Sequence, residues 1–172
     1  MDVFETIKTL LAVREYADRP LPADLVQRIL ESAWLSGSSR NGQPWQFVAV
    51  QERDMLKQLG AIASGGPYIA GAALAVVVAI EKESMFGVSD GSRAIQSMML
   101  TAWAEGVGSN WVGYLGYGGL DQVNAVLGIP EEYAILAIIP FGYPVQELGK
   151  GKKRRKPFGE VVHKGRYGEP FA

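Results

Sequence analysis

The side chains best suited to covalent and redox chemistry are nearly absent from this sequence of 172 residues. It contains no cysteine, which removes thiolate nucleophiles, disulfides, iron–sulfur clusters and cysteine zinc sites. Its one histidine, His163, leaves no partner for a serine triad and no paired metal ligands. Any redox or group-transfer chemistry must therefore be carried by a bound cofactor. What the sequence does offer is binding chemistry. Asn41 and Gln43 set amide donors and acceptors in a Ser-Gly-Pro loop, SSRNGQPW (38–45). Gly113 closes a glycine-rich stretch, GVGSNWVG, where a backbone N–H can approach a ligand closely. The run KKRRK (152–156) gathers cations that can clamp an anion, an arginine in bidentate fashion. Taken singly, each feature has a plain structural alternative. Asn41 then serves as a turn residue, the basic run as a solvated face and His163 as a hydrogen-bonded structural histidine. Trp45, Trp111 and Tyr114 would be core packing.

The elements that must position these groups follow from periodicity and punctuation. Asp2 and Glu5 have capping-box spacing, and Val3, Phe4, Ile7, Leu10 and Leu11 recur at helical intervals. Leu25, Val26, Ile29, Leu30, Ala33 and Trp34 form a second helical stripe after Pro20 and Pro22. A polar loop over 36–44 runs into a strand over 46–50, followed by a short helix over 54–62 and a buried strand over 74–80. After a loop over 84–90, Asp90 is expected to cap a helix reaching Glu105, with Gly106 as its stop. Strands are expected over 109–115 and 134–141, and a helix over 120–127 ended by Gly128 and Pro130. This interleaving predicts one α+β or α/β domain over residues 1–172. From Gly142 on, prolines and glycines break any regular pattern. Residues 143–172 are expected to form an extended arm packed on another surface, a partner subunit among the candidates.

Composition narrows the class further. Hydrophobic residues make up 48% of the chain, enough for a real core, and the formal net charge of −1 gives no electrostatic case for nucleic acid. The longest apolar run, 69–80, falls short of the roughly 20 residues a membrane helix needs. The N-terminal MDVFETIKTLL carries acidic residues and no apolar h-region, so no signal peptide, no membrane partner and a soluble, cytoplasmic protein are expected.

Four segments, in order along nearly the whole chain, resemble the nitroreductase family. KTLLAVREY (8–16) stands where that family has R-R-S-x-R-x-[FY], and SSRNGQPW (38–45) resembles its S-x-x-N-x-Q-P-W loop. AWAEGVGSNWVG (102–113) resembles its A-x-x-x-G-x-G-x-x-W-x-G segment, and KRRKPFGEVVH (153–163) its basic pair, R-x-P and terminal E-V-V-H. The resemblance implies an α+β three-layer sandwich, with a central, mostly antiparallel sheet flanked by helices and a C-terminal arm exchanged in a homodimer. It implies FMN at the dimer interface. Hydride would pass from NAD(P)H to flavin N5, and electrons then to a small acceptor such as a nitroaromatic, quinone or enone. The flavin carries that chemistry, so no catalytic side chain and no metal are expected. The cofactor ligands it implies are Arg14, Ser38, Arg40, Asn41 and Gln43, then Gly113 and Tyr114, and finally Lys153 and Arg155. Asn41 and Gln43 suit the O2–N3–O4 edge of the ring, Gly113 a backbone contact, and Lys153 with Arg155 the phosphate.

The sequence departs from that pattern at Leu10, Leu11 and Ala12, where two arginines and a serine are usual. Ser97 stands where an asparagine is common, and Tyr114 where a second glycine is common. The stretch between Ile62 and Asp90 is also short, which predicts an open pocket. On the strength of Leu10–Ala12, the rival reading is a protein of the same fold that binds or sequesters flavin without turnover.

Overall fold

The computed structural model describes residues 1–115, 117, 119–146 and 153–171. Its centre is an antiparallel sheet of β1 (Trp45–Val50), β2 (Leu74–Glu81), β4 (Tyr133–Gly142) and β3 (Gly108–Ser109), in the order β1-β2-β4-β3. Strand β2 reads LAVVVAI because both of its faces are covered. Leu74, Val76, Val78 and Ile80 pack beneath α2 (Ala23–Trp34) and α4 (Gly87–Ala104). Ala75, Val77 and Ala79 pack beneath α3 (Arg53–Ile62) and α5 (Asp121–Leu127). The result is α+β, one of the two classes the element pattern left open, with the three layers that the family resemblance implies. A bulge leaves Leu136 without a partner on β2, so Leu136 and Ala137 both enter the first core.

Helix α1 (Val3–Thr9) starts as expected, with the Asp2 carboxylate accepting the Glu5 N–H at 3.0 Å. It stops before Leu10, whose backbone is already extended, and leaves Val3, Phe4 and Ile7 exposed. At its end the Trp103 indole N–H of α4 donates to Thr9 Oγ1 at 3.0 Å. The chain then runs along the sheet edge. Ala12 bridges Ser109, the Val13 N–H donates to the Ser109 carbonyl at 2.9 Å, and Tyr16 bridges Pro144. Glycine is required beneath that strip: a Cβ on Gly108 would fall 2.3 Å from Val13 Cγ2.

Two expectations are corrected. Asp90 does not cap α4, which begins at Gly87; Asp90 lies inside the first turn and is fully buried, its carboxylate engaged by a distant loop. The strand expected over 109–115 shrinks to Gly108–Ser109 plus a lone bridge from Val112 to Ile138. Gly113 turns left-handed (φ 78°) and the Trp111 indole folds back onto the Gly113 carbonyl at 2.7 Å, which together interrupt the extended run. The glycine stops hold: Gly106 (φ 78°) and Gly128 (φ 65°) are both left-handed just past α4 and α5. In the arm, the described residues form one short helix, α6 (Phe158–Val161).

Candidate functional site

Among the described residues, the loop between α2 and β1 holds three of the four non-glycine residues with positive φ. Arg40 (φ 54°), Asn41 (φ 55°) and Gln43 (φ 50°) are all left-handed without being glycine. Each costs roughly 1–2 kcal/mol against an ordinary conformation. Hydrogen bonds hold the loop against that cost. Gln43 N–H donates to Ser38 Oγ at 3.0 Å and Asn41 N–H to the Ser38 carbonyl at 3.1 Å. Ser39 donates its N–H to Asp90 Oδ2 at 2.9 Å and its hydroxyl to Asp90 Oδ1 at 3.1 Å. Pro44 and Trp45 are buried and anchor the far end, Trp45 with its ring 5.9 Å from that of Phe47. Trp45 is thus core. Arg40, Asn41 and Gln43 are exposed, and the Asn41 side-chain amide has no protein partner among the described residues.

Gly113 stands across the sheet, where Val112 exchanges both backbone hydrogen bonds with Ile138 at 3.0 and 2.9 Å. Its left-handed φ and the 2.5 Å that would separate a Cβ from Leu120 Cδ1 leave room for hydrogen alone. Tyr114 follows with its ring half exposed, in a tight turn where the Tyr117 N–H donates to the Tyr114 carbonyl at 2.8 Å.

The cations occupy a different region. Arg14 is exposed on the edge strip beside Ser109, next to a polar cluster in which Asn110 donates through Nδ2 to the Tyr68 hydroxyl. Burial, then Tyr68, push the Tyr16 phenol far above its ordinary pKa, with Arg14 opposing, so Tyr16 stays a neutral donor to the Val13 carbonyl at 2.8 Å. Ser109 Oγ is buried with no partner among the described residues. Lys153 donates through Nζ to the Ile7 carbonyl in α1, which carries a cation to the turn preceding Leu10, Leu11 and Ala12. Partial burial, then the Arg155 guanidinium, lower the Lys153 pKa. Arg155 is exposed, and among the described residues its side chain bonds the Arg154 carbonyl alone, at 2.9 Å. Lys152 lies outside the described residues.

The structure therefore brings Ser38, Arg40, Asn41 and Gln43 into one loop and Lys153 to the N-terminal helix. Among the described residues no hydrogen bond or ion pair joins these two groups within the chain. Sequence reasoning missed Asp90 as the loop's anchor; the available signal was an acid followed by Arg93 three residues on. The hydrogen bond expected for His163 is not formed at Nδ1, which is buried with no partner among the described residues while the ring packs 4.7 Å from Tyr167. Among the described residues no cluster of His, Asp or Glu could hold a metal ion, and no helix is long and apolar enough to cross a membrane.

Comparison with known proteins adds a lineage to this geometry. The sequence profile described as the Nitroreductase family matches residues 11–87 and 69–143. A Methanothermobacter thermautotrophicus protein is 34% identical over 87% of this chain and 81% of its own length; its name, itself inferred, is NADH dehydrogenase/NAD(P)H nitroreductase. The NADPH:FMN oxidoreductase of Vibrio harveyi, solved in complex with NAD+, superposes with a TM-score of 0.84 at 25% identity, covering 97% of this chain and 78% of that one. An FMN-dependent nitroreductase of Clostridium difficile gives 0.86 at 24% identity over 95% and 99% of the two chains, a likeness of fold.

Proposed function

We propose that this chain, which belongs to the nitroreductase family, is an FMN-dependent NAD(P)H oxidoreductase that works as a homodimer on a small acceptor such as a nitroaromatic, quinone or enone. The observation that carries the reading is the SSRNGQPW loop. Three non-glycine residues are held left-handed there, and the Asn41 amide is left free to meet a ligand. The residues fit FMN. Asn41 and Gln43 supply both donors and acceptors for the ring edge, and Gly113 leaves its backbone open to close approach. Arg14, Lys153 and Arg155 would neutralise the phosphate. Bound FMN supplies the two-electron chemistry, taking hydride at N5 from the reduced nicotinamide. The protein's part is to orient ring and substrate face to face, with the half-exposed Tyr114 at the margin of the pocket.

The dimer is part of the same reading, as are one domain over residues 1–172, an arm exchanged between subunits, and work in the cytoplasm. Val3, Phe4 and Ile7 on α1 and Phe158, Val161 and Phe171 on the arm are exposed apolar surface of the kind an interface covers. Among the described residues no bond links the ring-edge loop to Lys153 or Arg155 within one chain, so a second subunit that adds its arm would complete the site. Lys153, placed at the end of α1, supports FMN binding despite the uncharged Leu10–Ala12, and acceptor-dependent turnover separates the enzyme from the flavin-sequestering reading.

The visible spectrum of the purified protein, NAD(P)H oxidation with a quinone or nitroaromatic, and sedimentation test these statements together. Flavin absorption bands, acceptor-dependent oxidation and a dimer are expected. Protein that stays colourless in excess FMN would overturn the enzyme, and a stable FMN-loaded monomer the dimer.

A further inference from the structure

We infer that Asp90 is a positioning residue whose buried carboxylate holds the Ser38–Gln43 loop in the conformation that presents Asn41 and Gln43 to the flavin edge. This rests on the flavin reading of that loop. Asp90 is fully buried inside α4, where a carboxylate is tolerated only if its oxygens are satisfied. Its partners are the Ser39 N–H at 2.9 Å, the Ser39 hydroxyl at 3.1 Å, the Arg93 guanidinium at 3.3 Å and, more distantly, the Ser89 hydroxyl at 3.5 Å.

Asp90 heads a polar stripe. Arg93 and Ser97 follow it three and seven residues on, on the same face of α4. Arg93 also donates to the Gly37 carbonyl at 3.4 Å, and Ser97 Oγ accepts from the Ser36 hydroxyl at 2.7 Å. The segment Ser36–Ser39 is thus laced to one helix, and the left-handed residues begin at the next position, Arg40. Freed from that lacing, Arg40, Asn41 and Gln43 would relax toward right-handed or extended backbone, which L-residues prefer. Asp90 touches no ligand; it acts through the loop.

Titration of the apo-protein with FMN and with riboflavin tests this, together with the midpoint potential of the bound flavin. Asp90→Ala should weaken both flavins by the same factor, about 10- to 100-fold, because the loop addresses the ring they share. It should also shift the potential. In Asp90→Asn the amide oxygen still accepts the Ser39 N–H and the amide N–H can donate to the Ser39 hydroxyl, but it faces the Arg93 guanidinium donor instead of accepting from it, so part of the affinity should return. If Asp90→Ala does not fold, Ser39→Ala removes only the hydroxyl contact and should cost both flavins a smaller, equal factor, about 2- to 5-fold. Unchanged affinity and potential in these variants, or a loss confined to FMN, overturns the inference provided that Asn41→Ala does lose affinity. If Asn41→Ala changes nothing, or the wild type binds neither flavin, the flavin reading of the loop falls first and this inference with it.

Discussion

Lys153 donates a hydrogen bond through Nζ to the carbonyl of Ile7, joining residues 146 positions apart. It places a cation on α1 just ahead of Leu10, Leu11 and Ala12, which have no charge to offer a phosphate. Lys153→Ala/Arg155→Ala should therefore lower FMN affinity about 100-fold or more, two charge-assisted contacts being worth roughly 1.5–3 kcal/mol each. Riboflavin, without a phosphate, should bind almost as before. Wild-type FMN affinity should fall with salt. Equal losses for the two ligands would show that the basic run does not meet the phosphate.

The same lysine makes the discrimination depend on pH. Partial burial first, and Arg155 second, lower its pKa, so it loses its proton at a lower pH than a free lysine. A phosphate favours the charged form, and above about pH 6 the phosphate is itself a dianion. The ratio of FMN to riboflavin affinity should hold through neutrality and fall as pH rises through the depressed lysine value, below the ordinary lysine range. Lys153→Arg, which stays protonated, should flatten that fall. Affinities measured by fluorescence quenching across alkaline pH decide the matter.

Asn41 combines a ligand function with a backbone one, and two substitutions separate them. Asn41→Ala should cost about 1–3 kcal/mol in flavin binding or reduction by removing an edge hydrogen bond. Asn41→Gly keeps the left-handed conformation without strain, so it should melt no lower than wild type yet lose flavin affinity as alanine does. A glycine variant with full affinity would show that the amide is not a ligand.

Gly113 and Gly128 offer a contrast in stability. Both are left-handed, but a Cβ on Gly113 would meet Leu120 at 2.5 Å, whereas nothing lies within 4 Å at Gly128. Gly128→Ala should cost about 1–2 kcal/mol, the price of the conformation alone. Gly113→Ala should cost about 2–5 kcal/mol, overpacking included, and should weaken flavin binding as well. Denaturant midpoints compare the two directly. Equal effects would mean that the crowding at Leu120 is relieved freely.

The sequence revealed what local chemistry controls. Asp2 could be read as a cap because its acceptor role is satisfied three residues away, and Gly106 and Gly128 as stops because only glycine fits those turns easily. The run over β2 read as buried because every residue from Leu74 to Ile80 is covered. Asp90 was misread because its partner, Ser39, lies 51 residues away in the chain, and an acid before an apolar stripe looks like a cap. The left-handed Arg40 and Gln43 were hidden for a related reason: neither residue type announces a positive φ, and tertiary bonds impose it. The strand beyond Ser109 was overextended because alternation in NWVGYL mimics a paired edge, while Gly113 breaks it. The motif loop itself was legible as a unit, and the side chains within it stand where a ligand can reach them.

Helix α4 touches α1 through Trp103 and the SSRNGQPW loop through Asp90, at opposite ends of one rod. Thirteen residues separate those contacts, a span of roughly 20 Å along the axis. The helix therefore works as a measuring stick between the part of the fold that carries Lys153 and the part that carries Asn41. A single residue inserted between Asp90 and Trp103 would lengthen it only slightly, but would rotate one end by about 100° against the other. Trp103 would swing away from Thr9, or Asp90 away from Ser39. Any change in the number of residues in this stretch of α4 would therefore cost one of its two contacts, the one to Thr9 or the one to Ser39.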